Sequence, residues 1–267
     1  MLLPLAVLSV FYFYPLGKFL SLSVTSPKLG FGNFERLLTS EAIWRILGTT
    51  ARVSAITTLV ALTVGYVIAY AMLHVPLRHR TWMLFIVLLS FWLSVMIRAF
   101  AWLTLLQSHG VVNTVLMELG LIREPLPLTR NEFGVILGMV HYLIPYAVLP
   151  IYANMQGIDS RLVPAARGLG ASPAVAFVRV FLPLTTPGIV AAGLLVFIFA
   201  LGFYITPALL GGGKTVMIAE YISVQILTAL NWGTAAMLAT TLLAAVLVIL
   251  ATVSRFANLR EIFGVKA

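Results

Sequence analysis

Apolar runs of twenty or more residues recur from one end of this chain to the other, and nothing else limits its fold so strongly. A helix of that length covers about 30 Å at about 1.5 Å per residue, the thickness of a bilayer core. The expected fold is therefore all-α and polytopic. In water, 267 residues would suggest one or two domains, but 61% hydrophobic and 9% charged residues exclude a soluble fold. The net charge of +9 would point to nucleic acid in a soluble protein. Between apolar spans, loop arginines facing anionic lipid are the commoner cause, so membrane lipid is expected as a partner and nucleic acid is not. There is no cysteine, hence no disulfide and no thiolate metal site.

The runs predict six spans in a single domain over 1–267: about 1–20, 50–73, 82–106, 133–154, 188–210 and 233–253. The first has no basic residue ahead of it and no small-residue cleavage site, so it reads as a retained span. Residues 21–49 read as an ordered segment ending in a short amphipathic helix, with Asn33 placed to cap it. A turn at 74–80, basic and containing Pro76, separates the second and third spans. Residues 107–132 read as a polar loop, and 215–227 as a re-entrant or interfacial helix after Gly211-Gly212-Gly213-Lys214. Six spans place both termini on one side. Charge does not say which side, because the basic residues other than Arg98 divide eight and eight.

The longest interruption of apolar sequence in the second half is Ile158–Ile189, a docking loop centred on about 158–187. It holds Arg161, Arg167 and Arg179. Leu162, Ala165, Ala166 and Leu169 form a small apolar stripe at helical spacing. Asp159 or Ser160 can cap the first helix, Gly168 and Gly170 break it, and Ser172-Pro173 starts a second. Two short helices joined at glycine beside a membrane suit docking better than tethering.

Within this stretch, Pro164-Ala165-Ala166, three residues, Gly170, nine residues, then Val180-Phe181-Leu182-Pro183 resembles the EAA loop of ABC importer permeases. The family pattern is Glu-Ala-Ala, three residues, Gly, nine residues, Ile, any residue, Leu-Pro. Pro164 stands where the family has glutamate and Gly168 where an acid is frequent, so the glutamate's ion pairing is not carried over. Further stretches, Phe91–Arg98 with Ala101-Trp102, Leu143–Tyr146, Leu149–Tyr152 and Tyr204–Gly212, resemble spermidine/putrescine-type permeases. The resemblance covers essentially the whole chain.

It implies a type I ABC importer permease (MetI-like) fold in the bacterial inner membrane, with both termini cytoplasmic. The chain would form half of a translocation pathway for a small cationic amine, best a polyamine. It would work with a second, homologous permease subunit, two ATPase subunits and an extracytoplasmic substrate-binding protein. Pro164, Ala165, Ala166, Arg167 and Gly170 would dock the ATPase, with Leu182-Pro183 leading into the fifth span. ATP and Mg would sit on the ATPase partner, leaving this chain without a cofactor of its own. An importer of an opine or amino acid derivative is the nearest alternative, and an ion-coupled carrier is a further one.

The residues carry no catalytic set. There is no Gly-x-Ser-x-Gly elbow and no His-Glu-x-x-His. Gly212-Gly213-Lys214-Thr215 lacks the first glycine of a phosphate loop, since position 208 is Ala208. His141 is a lone histidine within a span, better suited to packing against another helix than to holding a metal. Arg98 is the most informative span residue, because a cation at mid-bilayer costs about 2.5–3.5 kcal/mol on insertion scales. It lies about 12 Å from the outer helix end, so snorkelling competes with an interior site. A helix-end carbonyl or carboxylate is its expected partner. For cation recognition the candidates are Glu220, Tyr221, Trp92, Trp102, Tyr142 and Tyr204, each equally readable as packing or interfacial belt.

Overall fold

The computed structural model describes Pro4 and residues 7–256, which form helices and the turns between them. Among them, five stretches are long and apolar enough to cross a membrane: Glu41–His74, Val95–Glu118, Glu132–Gln156, Pro173–Leu201 and Trp232–Arg255. This corrects the expected six. The first expected span falls partly on residues outside those described. What is described there is a π-turn, Ser9–Phe13, and helix α1, Tyr14–Thr25, whose apolar sequence is interrupted by Lys18, Ser21 and Ser23.

After α1 comes α2, Gly32–Thr39, whose cap position is Phe31 rather than Asn33. The Asn33 amide instead donates to the Ser23 and Ser26 carbonyls at 2.9 and 2.7 Å, tying α2 to the end of α1. Helix α3, Glu41–His74, begins well before the expected 50. Its added turns are held by tertiary packing: Ile43 is 2% exposed against Ile218, Met237 and Leu238.

The expected third span is broken. Helix α4, Leu77–Trp92, stops at extended Leu93 and Ser94, and α5, Val95–Leu106, follows. The supposed polar loop then contains α6, Val111–Glu118. Buried Asn113 organises it, donating to the Gln107 and Leu126 carbonyls at 3.1 and 3.0 Å and accepting from Leu126 N–H at 2.8 Å.

Helix α7, Glu132–Gln156, is the most enclosed of the five spans. Asn131 caps it by accepting from Gly134 N–H at 3.0 Å. Two short helices follow, α8 at Leu162–Gly168 and α9 at Pro173–Ala176, then a π-turn at Phe177–Phe181 and α10 at Leu182–Leu201. The fifth span thus starts at Pro173 and ends at Leu201, not 188–210, because the chain leaves the helix at Gly202. Helices α11, Ile205–Leu210, α12, Ile218–Leu227, and α13, Trp232–Phe256, complete the described chain.

Helix α3 packs along α7, and α10 packs on both. Thr57, Ala61, Gly65 and Ala69 repeat every fourth residue on the buried face of α3, the spacing that brings membrane helices close. A Cβ built on Gly65 would sit 2.7 Å from the Ala147 Cβ of α7. Gly65→Val is therefore expected to destabilise the protein by about 1–3 kcal/mol in thermal unfolding. Gly193→Ala is the control, since its Cβ would meet only Leu62, at 3.4 Å.

Candidate functional site

The docking loop is folded by its own backbone. Asp159 Oδ1 accepts from Arg161 N–H at 2.9 Å and holds the turn ahead of α8, which has no side-chain cap of its own. At the other end the N–H groups of Leu169, Gly170 and Ala171 return to the carbonyls of Ala165, Arg167 and Ala166 at 3.0–3.1 Å. That closure needs a left-handed residue, and Gly170 supplies it at φ 93°. Ser172 Oγ then accepts from Val175 N–H and Pro173 opens α9. Leu182 N–H reaches back five residues to the Phe177 carbonyl. This π-turn lets Pro183, which has no N–H, enter the helix early in α10.

Pro164, Ala165, Arg167, Gly170 and Pro183 are exposed, while Ala166 and Leu182 are half-buried. Leu169 is 91% exposed, so the apolar stripe of α8 ends on an open leucine. Behind the loop stands an aromatic wall. Tyr70 meets Phe177 and Phe181 edge-on at 5.6 Å, and those two rings stack at 5.8 Å. A cavity of about 650 Å³ lies between wall and loop, bordered by Asp159, Pro164 and Arg167. The loop is thus braced from inside and free outside.

The second candidate lies inside the bundle, at the break between α4 and α5. Arg98 is 6% exposed, so it does not snorkel. Its guanidinium donates to the Ser90 carbonyl and, at 3.0 Å, to the Leu93 carbonyl. These belong to the last turn of α4, where carbonyls lack helical partners. Its charge lies 5.0 Å from the Tyr142 ring centroid. Tyr142 stacks on Tyr146 at 5.8 Å, and Tyr146 meets Phe91 and Phe199 at 5.0 and 4.8 Å. Trp102 donates its indole N–H to His141 Nδ1 at 3.2 Å. Arg98, Trp102 and Tyr142 are therefore brought together, with His141 and Tyr146 of the same helix as Tyr142, Phe91 of α4, Phe199 of α10 and Phe203 just beyond it.

The remaining candidates stand apart. Trp92 is 87% exposed, and Tyr204 is 42% exposed beside buried Phe203. Tyr221 packs with Ile43, Ile218 and Met237 in a separate cluster. Glu220 is the third residue of α12, outside the five spans, and its carboxylate turns toward the backbone of Met217, the helix cap. Burial pushes that carboxyl above its ordinary range, with the Met217 bond opposing, and Oε2 has no hydrogen-bond partner. Among the described residues no cluster of His, Asp or Glu could hold a metal ion.

The architecture defines a class. It superposes on a bacterial ABC transporter that imports the acidic polysaccharide alginate with a TM-score of 0.75, covering 96% of this chain and 93% of that one at 22% identity. At that identity the likeness speaks for fold alone: the all-α, multi-span MetI-like fold of ABC importers. The sequence goes further. Residues 61–260 match the family described as binding-protein-dependent transport system inner membrane component, and the chain belongs to it. It is 36% identical over 213 residues to the spermidine/putrescine transport system permease protein PotB of Haemophilus influenzae, covering 79% of this chain and 73% of that protein. With PotB of Escherichia coli K12 it shares 35% over 200 residues, 75% of this chain and 72% of that one. The chain is an inner-membrane permease subunit of an ABC importer, without a catalytic role of its own.

Proposed function

We propose that this permease carries a polyamine of the spermidine/putrescine type. The observation that carries the reading is the 36% identity to PotB over most of both chains. The fold cannot choose a cargo, since an alginate importer shares it. The interior agrees with an organic cation in its stacked rings at Tyr142 and Tyr146, whose faces attract ammonium groups. Arg98 is spent on carbonyls and one ring, which leaves the other aromatic faces to the cargo.

In this reading the chain is one permease domain that pairs with a second, homologous permease, two ATPase subunits and an external binding protein. The ATPase groove receives α8 through Ala165, Ala166, Arg167 and Gly170, a helix-in-groove contact. Exposed Leu169 supports this, because it offers an apolar anchor left open by the described residues. Closure of the ATPase pair rocks the spans between inward and outward states. Both termini face the cytoplasm in this reading, with α1 crossing beside the five longer stretches as the antiparallel neighbour of α13. Support comes from α1 and α13, which pack along each other, the end of α1 meeting the start of α13 at Ser26 and Gly233.

The test is uptake of labelled spermidine by cells carrying the complete transporter, competed with putrescine and with amino acid derivatives. Tyr146→Ala, at the ring of the stack that Arg98 does not occupy, is expected to lower uptake on the order of tenfold, as loss of a desolvated cation–ring contact of about 2 kcal/mol allows. Glu220→Ala is expected to leave uptake within about twofold, because its carboxylate serves the cap of α12. A collapse of uptake in Glu220→Ala would return that residue to the path. Competition by an amino acid derivative but by no polyamine would overturn the cargo assignment.

A further inference from the structure

An unassigned site lies at the end of the bundle opposite the docking loop. Helix α3 has 34 residues and so runs about 51 Å. Its last turns, at Tyr70 and His74, border the docking loop. Its start follows directly on α2. There, the chain from Ser26 to Arg36 and the head of α13 enclose a cavity of about 760 Å³.

Lys28 and Arg36 line this cavity and no carboxylate does. Among the described residues, the ion pairs are Arg45–Glu41 and Arg52–Glu132, so neither cation is neutralised. Two helix N-termini end at the same walls. That of α2 has no side-chain cap, and that of α13 is capped by Asn231, which accepts from Thr234 N–H at 3.1 Å. Both present the positive end of a helix dipole. Independently, Thr234 lines the cavity, is 1% exposed, and its Oγ1 has no hydrogen-bond partner. A buried hydroxyl is rarely left unpaired.

We propose that this cavity binds the phosphate of an anionic phospholipid, with Lys28 and Arg36 as counter-charges and the Thr234 hydroxyl as a hydrogen-bond donor. The rim selects lipid over a free anion. Leu29, Leu230 and Trp232 border the opening at 88%, 69% and 46% exposure, an apolar collar for glycerol and acyl carbons. Trp232 also begins a span, where tryptophan marks the membrane–water interface. With no carboxylate in the wall, a choline or ethanolamine headgroup finds no counter-charge. The site does not rest on the importer reading or on its cargo.

Native mass spectrometry of the full chain, purified with its accompanying subunits and titrated with phosphatidylglycerol or phosphatidylcholine, tests this. Wild type is expected to bind one phosphatidylglycerol more tightly than phosphatidylcholine and to keep it in excess inorganic phosphate. Lys28→Gln with Arg36→Gln is expected to weaken that binding at least about tenfold, following the contribution of each basic residue near an anionic surface. The charge-keeping pair Lys28→Arg with Arg36→Lys retains it, which separates lost charge from lost folding. Thr234→Val weakens it by a smaller factor. Equal affinity for the two lipids, or unchanged affinity in the glutamine pair, overturns the proposal. Displacement by inorganic phosphate overturns the lipid assignment.

Discussion

Gly170→Trp is expected to cut binding-protein-stimulated ATP hydrolysis by an order of magnitude or more while the permease still folds and reaches the membrane. Nothing lies within 4 Å of a Cβ built at Gly170, so the indole projects away from the chain rather than into its core. In the proposed docking it enters the space left for the ATPase groove. One complication is internal: φ at 93° strains any L-residue, at about 1–2 kcal/mol. Gly170→Ala carries the strain without the bulk and separates the two effects. Leu169→Ala is the complementary variant, removing the exposed apolar anchor without altering the backbone, and a central anchor is worth about 2 kcal/mol or more to an interface. If hydrolysis falls in Gly170→Trp and Leu169→Ala but holds in Gly170→Ala, contact is the cause. Undiminished coupling in all three would remove the loop from the ATPase interface.

Arg98→Met is expected to have the largest effect on stability. Methionine keeps the aliphatic bulk and removes both donations to the end of α4. Each buried carbonyl left unpaired costs about 1–3 kcal/mol. The ring of Tyr142 loses its cation as well. The expected result is a lower melting temperature of the purified permease, with Arg98→Lys intermediate because an ammonium cannot match the planar fork. Trp92→Ala, on the exposed side of the same break, is expected to leave melting unchanged. Equal melting of Arg98→Met and wild type would show that the break at Leu93 and Ser94 stands without the arginine.

The docking loop was the most legible part of the sequence because its determinants are local. A glycine at a left-handed turn, a proline after a serine cap and a proline after a leucine act within a few residues of themselves. The kind of partner Arg98 would take was legible too, since a buried cation must find acceptors. What lay hidden depends on distant segments. Nothing near Leu93-Ser94 signals a break, for neither glycine nor proline stands there, and its loose carbonyls are satisfied from the following helix. Pro145 and Pro150 signal breaks in α7 that do not occur, because the helix is held on several sides. The early start of α3 depends on Ile43 meeting α12 and α13, and the early start of the fifth span on a π-turn that absorbs Pro183. Phe91, Tyr146 and Phe199 form one ring cluster from three helices, and helical periodicity does not report how helices are rotated against one another. Glu220 drew notice as a lone acid among apolar residues, yet its place as third residue of α12 suits a cap.

ATP hydrolysis by the co-purified complex in lipid tests most directly whether an ATPase drives this chain through its docking loop. Hydrolysis is measured with and without the binding protein, across a panel of amines. The expected result is stimulation by binding protein loaded with a polyamine, and loss of that stimulation in Gly170→Trp. A chain that co-purifies with no ATPase and moves solute down a gradient by itself would contradict it.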